Sequence, residues 1–189
     1  MFIQTETTPN PSTLKFIPGG PVLETGSAQF STLNEARGCS PLAERLLLIK
    51  GVSGVFLGAD FISVTLESRG EWSVLKPLVL AALFEHLTMK MPILIGEQKE
   101  EKPLSAEDSA VVLQIRELLD LRIRPAVAQD GGDIVFHKFE KGILWLEMQG
   151  ACSGCPSSTM TLKMGIENMM RHYIPEVLEV RAYSGASYF

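Results

Sequence analysis

The sequence predicts an α+β protein built as two small α/β sandwich domains joined by a charged linker. Strand-like runs rich in β-branched and aromatic residues are interleaved with helix-like apolar stripes in both halves of the 189 residues. The composition breaks sharply at "GEQKEEKPLSAED" (96–108), a charged stretch bounded by Gly and Pro. No internal repeat relates what lies on either side. The expected division is therefore a first domain over 1–96, a linker over 97–103 and a second domain over 104–189.

The first domain opens with "MFIQTE" and "LKFIPG", strand-like runs flanking "TTPNPS", where two prolines favour extended or turn geometry. Residues 19–40 carry no readable periodicity. "SPLAERLLLIKG" predicts a short helix with Ser40 as N-cap, Pro41 as first helical residue, Gly51 as stop, and an apolar face of Leu42, Leu46 and Ile49. "VSGVFLG" and "FISVTLE" read as paired strands around a turn at Gly58–Asp60. From Ser73, the spacing of Leu75, Leu78, Val79, Ala82, Leu83 and His86 predicts one face of a helix, with Pro77 placed in its first turn, where a missing N–H is harmless.

In the second domain, Ser105 and Asp108 resemble a capping pair ahead of an apolar stripe of Val111, Val112, Ile115, Leu118 and Leu119, predicting a helix to about Arg124. "DIVFHKFEKGILWLEM" gives two strands around a Glu140–Gly142 turn. Pro156 stands where a first helical residue would, with Ser157 and Ser158 able to satisfy free N–H groups. Leu162, Ile166, Met169, Met170 and Tyr173 continue on one face. "VLEVRAY" is a last strand, and the order α, β, β, α, β implies a small sheet covered by helices.

The bulk numbers exclude several classes. The net charge is −5, and residues 97–189 carry 10 basic against 14 acidic side chains, with no basic stripe to follow a phosphate backbone, so no nucleic-acid partner is expected. The longest helix-like apolar run, "LVLAALF" (78–84), falls far short of the roughly 18 residues that cross a bilayer, so no membrane role is expected. The first residues resemble neither a signal peptide nor an Arg-rich transit peptide, and the expected location is cytoplasmic.

Chemistry is concentrated in "GACSGCPSS" (150–158). The predicted elements put Cys152 and Cys155 in a loop that leaves a strand and enters a helix at its N-terminus. There the free N–H groups and the helix dipole favour anions, so Cys155 in particular is expected to have a lowered pKa. Gly150 and Gly154 leave room for close approach of a cluster or a partner. A CxxC pair serves half of a zinc site, half of an iron-sulfur site, or a redox dithiol. Only Cys39 remains elsewhere, and the three histidines show no metal-ligand spacing. The simplest completion of a four-thiolate site is a second copy of the chain, which suits a labile [4Fe-4S] cube between two subunits. A thiol-disulfide oxidoreductase and an intersubunit zinc stay open as alternatives.

The run "QDGGDIVFHKFEKGILWLEMQGACSGCPSSTMTLKMGIENMMRHYIPEV" closely resembles the C-terminal domain of the Nfu (NifU-like) iron-sulfur cluster carriers. "MFIQTETTPNPSTLKFIPGGPVLE", "SPLAERLLLIKGVSGVFLGADFISVT" and "WSVLKPLVLAAL" resemble the N-terminal domain of that family, so the likeness spans nearly the whole chain in the family's domain order. The resemblance implies a carrier rather than an enzyme, holding a [4Fe-4S] cluster between two subunits through Cys152 and Cys155. It implies receipt from upstream cluster donors and transfer to client apo iron-sulfur proteins, such as aconitase-like and lipoate-synthase-like targets. Eukaryotic relatives are mitochondrial and carry a presequence, so a bacterial cytoplasmic protein or a mature matrix form is expected. Cys39 has no counterpart that the family requires.

The other notable residues have ordinary expectations. Cys39 reads as an incidental small residue, while His86, His137 and His172 read as structural or surface groups. Met160, Met164, Met169 and Met170 fit adaptable packing, and "QDGGD" fits turn chemistry with a share in shaping the cluster's surroundings.

Overall fold

The computed structural model of the chain describes residues 2–67, 70–95, 110–153 and 156–183, with the backbone alone for 156–159. The chain divides into two compact units, Met1–Glu100 and Glu101–Phe189, each with helices and a sheet. The predicted linker (97–103) and the Ser105/Asp108 pair lie outside the described residues.

In the first unit, β1 (Gln4–Thr7) and β2 (Thr13–Ile17) form the expected antiparallel hairpin. The Asn10 side chain accepts from Ser12 N (3.0 Å) and the Asn10 carbonyl accepts from Thr13 N (2.9 Å), which closes the turn. The unread stretch contains β3 (Ala28–Phe30) and a single helical turn, α1 (Leu33–Ala36), opened by a capping box of Thr32 and Glu35. Helix α2 (Pro41–Leu47) starts as predicted, with Ser40 Oγ accepting from Ala43 N at 3.1 Å.

Strands β4 (Val52–Leu57) and β5 (Ile62–Leu66) pair antiparallel, and the five-stranded sheet runs β1-β2-β5-β4-β3. Helix α3 (Trp72–Thr88) buries Val79, Leu83 and His86. Two expectations fail here. Leu78 is 52% exposed, because α3 is apolar all round and its sequence does not single out the inner face. Pro77 lies in the second turn, not the first, because the helix begins one residue earlier than expected, at Trp72, and the Ser73 carbonyl lacks its i+4 donor.

In the second unit, α4 (Ala110–Leu118) passes into a π turn (Leu119–Ile123) and then α5 (Arg124–Gln129), so helical structure continues five residues past the expected end at Arg124. Strands β6 (Gly132–Glu140) and β7 (Ile143–Gly150) form the predicted hairpin, with His137 in a bulge. Helix α6 (Pro156–Tyr173) leads to β8 (Glu179–Ala182), which joins β7 in parallel. Ile115, Leu119, Ile134, Leu146, Ile166 and Met170 are among the buried residues that fuse helices and sheet into one core. Tyr173, placed by its spacing on the inner face of α6, is instead 49% exposed, because it is the last residue of the helix and its ring lies beside the Arg122 guanidinium. No helix among the described residues is long and apolar enough to cross a membrane.

Candidate functional site

The site begins where β7 ends. Gly150 has φ +65°, a left-handed conformation that turns the chain sharply out of the strand. Ser153 N (3.1 Å) and Ser153 Oγ (2.8 Å) both donate to the Gly150 carbonyl, closing the turn that carries Ala151 and Cys152. Ala151 N donates to the Gly131 carbonyl (3.1 Å), pinning this turn to the segment that enters β6. Three residues after Ser153, α6 begins at Pro156. Cys152 thus sits between a strand end and a helix start, as the sequence predicts. Cys155, Gly154 and the side chains of Ser157 and Ser158 lie outside the described residues.

Cys152 is only 6% exposed and belongs to the hydrophobic core of its unit. Its thiol occupies the space that a side chain on Gly132 would fill. A Cβ there would stand 2.7 Å from Cys152 Sγ and 2.6 Å from the Gln149 carbonyl oxygen. Burial, followed by the charges of Asp130 and Asp133, pushes the Cys152 thiol up to about 12. A helix N-terminus argues for a thiolate, but Cys152 lies four residues before α6, and the dipole's influence falls off within a turn. Desolvation and two carboxylates win instead.

Those carboxylates come from "QDGGD", so this turn also lines the cysteine. Asp133, 8% exposed, is gripped by Arg124: Nε donates to Oδ1 (2.9 Å) and Nη2 to Oδ2 (2.8 Å). Arg124 Nη1 also donates to Asp120 (3.1 Å), one turn back, and Ile134 N donates to Asp133 Oδ1 (2.8 Å). The sequence reading missed Arg124 and Gly132. The paired glycines followed by Asp were the available signal for Gly132, whereas Arg124 is aimed by a π turn that leaves no mark in periodicity.

The remaining candidates take structural places. Cys39 is exposed. His86 is fully buried, with Nε2 donating to the Pro92 carbonyl (3.1 Å) and Nδ1 without a partner. Burial holds its pKa below the usual value, and the Arg45 charge adds to this. His137 meets Glu147 (2.7 Å) and stacks on Tyr183 at 3.8 Å, and His172 touches the Tyr173 ring edge-on. Met170 is buried, while Met160 and Met164 are exposed on α6. Among the described residues, no three His, Cys, Asp or Glu side chains are grouped to hold a metal ion.

Comparison with known proteins places both units. Residues 3–90 match the family described as "Scaffold protein Nfu/NifU N terminal", and residues 115–181 match the family described as "NifU-like domain". The chain is 51% identical over 178 residues to the human "NFU1 iron-sulfur cluster scaffold homolog, mitochondrial", covering 94% of this chain and 70% of that protein. It is 50% identical over 182 residues to "NifU-like protein 4, mitochondrial" of Arabidopsis thaliana, covering 94% and 64%. The chain spans about 60 to 70% of the length of such curated relatives. Among solved structures, the solution structure of a NifU-like protein from Saccharomyces cerevisiae aligns with TM-score 0.46 and 27% identity, over 51% of this chain and 87% of that one.

Proposed function

This chain belongs to the Nfu (NifU-like) family, and we propose from that membership that it is an iron-sulfur cluster carrier. Its cargo is a labile [4Fe-4S] cluster, held between two subunits by Cys152 and Cys155 of each and passed to client apoproteins. The observation that carries the reading is the Cys-Ser-Gly-Cys run between β7 and α6, inside the segment that matches the NifU-like domain. Two thiols per chain make half of a four-thiolate site, and a twofold partner supplies the other half. The domain over 1–96 serves partner docking. The compartment is a reducing one, the mitochondrial matrix or a bacterial cytoplasm.

The setting of Cys152 supports carriage over permanent storage. Burial and the neighbouring carboxylates push the Cys152 thiol up to about 12, so in the metal-free protein the sulfur keeps its proton at neutral pH. Iron must displace that proton on loading, and the sulfur readily takes one back on release. Transfer is ligand exchange: a client thiolate bonds to iron, the bond from iron to a carrier sulfur breaks, and the carrier sulfur is protonated as the client thiol loses its proton. The chain holds a cluster and gives it up, and the transfer leaves it as the emptied apo form, so the role is that of a carrier rather than an enzyme.

A thiol-disulfide oxidoreductase needs an accessible, thiolate-rich attacking sulfur. Cys152 is the reverse on both counts and does not serve as that sulfur; for a carrier, zero turnover is expected in an iron-free insulin-reduction assay. The test of the carrier reading is Cys152→Ser and Cys155→Ser. Each is expected to abolish stable cluster binding with the fold intact, and a single variant that keeps a full cluster and donates normally would overturn it.

A further inference from the structure

We propose that Arg124 is a positioning residue for Cys152, acting through Asp133 and Gly132. The proposal rests on the reading of Cys152 as a cluster ligand. Three links join the guanidinium to the sulfur. Arg124 bridges both oxygens of Asp133 at 2.9 and 2.8 Å, and the Asp133 carboxylate also takes the Ile134 N–H, so the first residues of β6 are fixed to the start of α5. Gly132, next to Asp133, presents the bare backbone on which Cys152 Sγ rests, and Gly131 accepts from Ala151 N in the turn that carries the cysteine. Movement of Asp133 therefore moves the floor and one wall of the thiol's niche.

The approach of Arg124 is built into the helix. Arg124 N donates to the Leu119 carbonyl, five residues back, so the turn before it holds an extra residue that re-aims the side chains that follow. That turn leaves Arg124 within reach of Asp120 on its own helical run and Asp133 on the strand. A paired charge this sheltered adds little net stability compared with well-packed apolar residues. Its distinctive effect is local: it fixes one geometry and neutralises a carboxylate whose charge otherwise bears on Cys152 and on an anionic thiolate-ligated cargo.

The test uses the full chain with Arg124→Lys, Arg124→Gln, Asp133→Asn and the double variant Arg124→Gln/Asp133→Asn. Apo protein is treated with iodoacetamide at a single pH, and labelling of Cys152 relative to exposed Cys39 is read by mass spectrometry. Reconstituted protein is mixed with a ferrous-iron chelator and the rate of iron loss is followed, with near-UV circular dichroism reporting the fold. Arg124→Gln opens the niche while baring the Asp133 charge, which by itself lowers labelling; with the exposed thiol dominating, the Cys152 to Cys39 labelling ratio is expected to rise several-fold and iron loss to speed by about 10- to 100-fold, the usual scale for a residue that supports a ligand. Arg124→Lys, which keeps the charge but cannot fork onto Asp133, is expected to fall between. The double variant is expected to recover much of the iron retention, because the carboxylate that opposes the cargo is gone, a recovery that a purely structural role would not produce. Folded Arg124→Gln and Arg124→Lys with wild-type labelling and wild-type iron loss would overturn the proposal, as would loss of the native dichroism in every variant. If the wild type takes up no iron or sulfide, the carrier reading falls, and the labelling ratio alone decides whether Arg124 positions Cys152.

Discussion

The contact between Gly132 and Cys152 can be tested by adding one methyl group. In Gly132→Ala the new Cβ would lie 2.7 Å from Cys152 Sγ and 2.6 Å from the Gln149 carbonyl oxygen, about an ångström inside normal contact. The backbone at Gly132 has no positive φ, so alanine is conformationally acceptable and the cost is contact alone. The carbonyl belongs to the paired strand β7 and yields little, so the thiol must move or the hairpin must open. Overpacking of this kind costs roughly 1 to 3 kcal/mol. For a unit of this size that lowers its melting temperature by roughly 5 to 20 °C. Gly165→Ala, inside α6 where a Cβ meets nothing within 4 Å, is the matched control and is expected to stabilise by about 0.5 to 1 kcal/mol. Thermal unfolding followed by circular dichroism reads both, and iodoacetamide labelling of Cys152 is expected to rise in Gly132→Ala alone. A Gly132→Ala protein that melts within about 1 °C of wild type, with unchanged Cys152 labelling, would refute the close packing.

Three further outcomes follow from named groups. In apo protein, Cys152 near 12 holds about one part in ten thousand of thiolate at pH 8, so its alkylation is expected to be slow and to climb throughout pH 7 to 10; a plateau by pH 9 in a labelling series would contradict the burial. His86 is kept neutral in the fold, so its contribution to the first unit is complete above the unfolded value near 6.5 and is lost as pH falls from there through the lowered folded value. Urea unfolding between pH 7.5 and 5 is expected to show that loss in wild type and not in His86→Leu, and equal slopes would remove His86 as the cause. Pro77→Ala is expected to stabilise α3 by about 1 to 2 kcal/mol, since it restores a donor to the Ser73 carbonyl at an exposed position; an unchanged or lowered melting temperature would contradict this.

Local chemistry was legible in the sequence. Ser40 with Pro41, the turn residues of 58–60, and Pro156 after a strand each fix an element boundary through one or two side chains, and those boundaries stand. Residues 19–40 were unreadable because a three-residue strand and a one-turn helix are too short for any period, although Thr32 and Glu35 carried a capping signal. Helix α3 hides its inner face because apolar residues surround it, which misplaces Leu78, whereas Pro77 is misplaced because the helix starts one residue before Ser73. The position of Cys152 followed from sequence, but its environment did not: burial against Gly132 and the charges of Asp130 and Asp133 come from residues about twenty positions away. A pattern read along the chain sees the nearby helix start and not the distant carboxylates.

Whether two chains share one cluster is decided by measuring iron, zinc and acid-labile sulfide on anaerobically reconstituted protein together with its mass in solution. About four iron and four sulfide per dimer are expected, with the metal-free protein smaller than the loaded species. Zinc without sulfide, or no metal after reconstitution, would contradict a shared cluster.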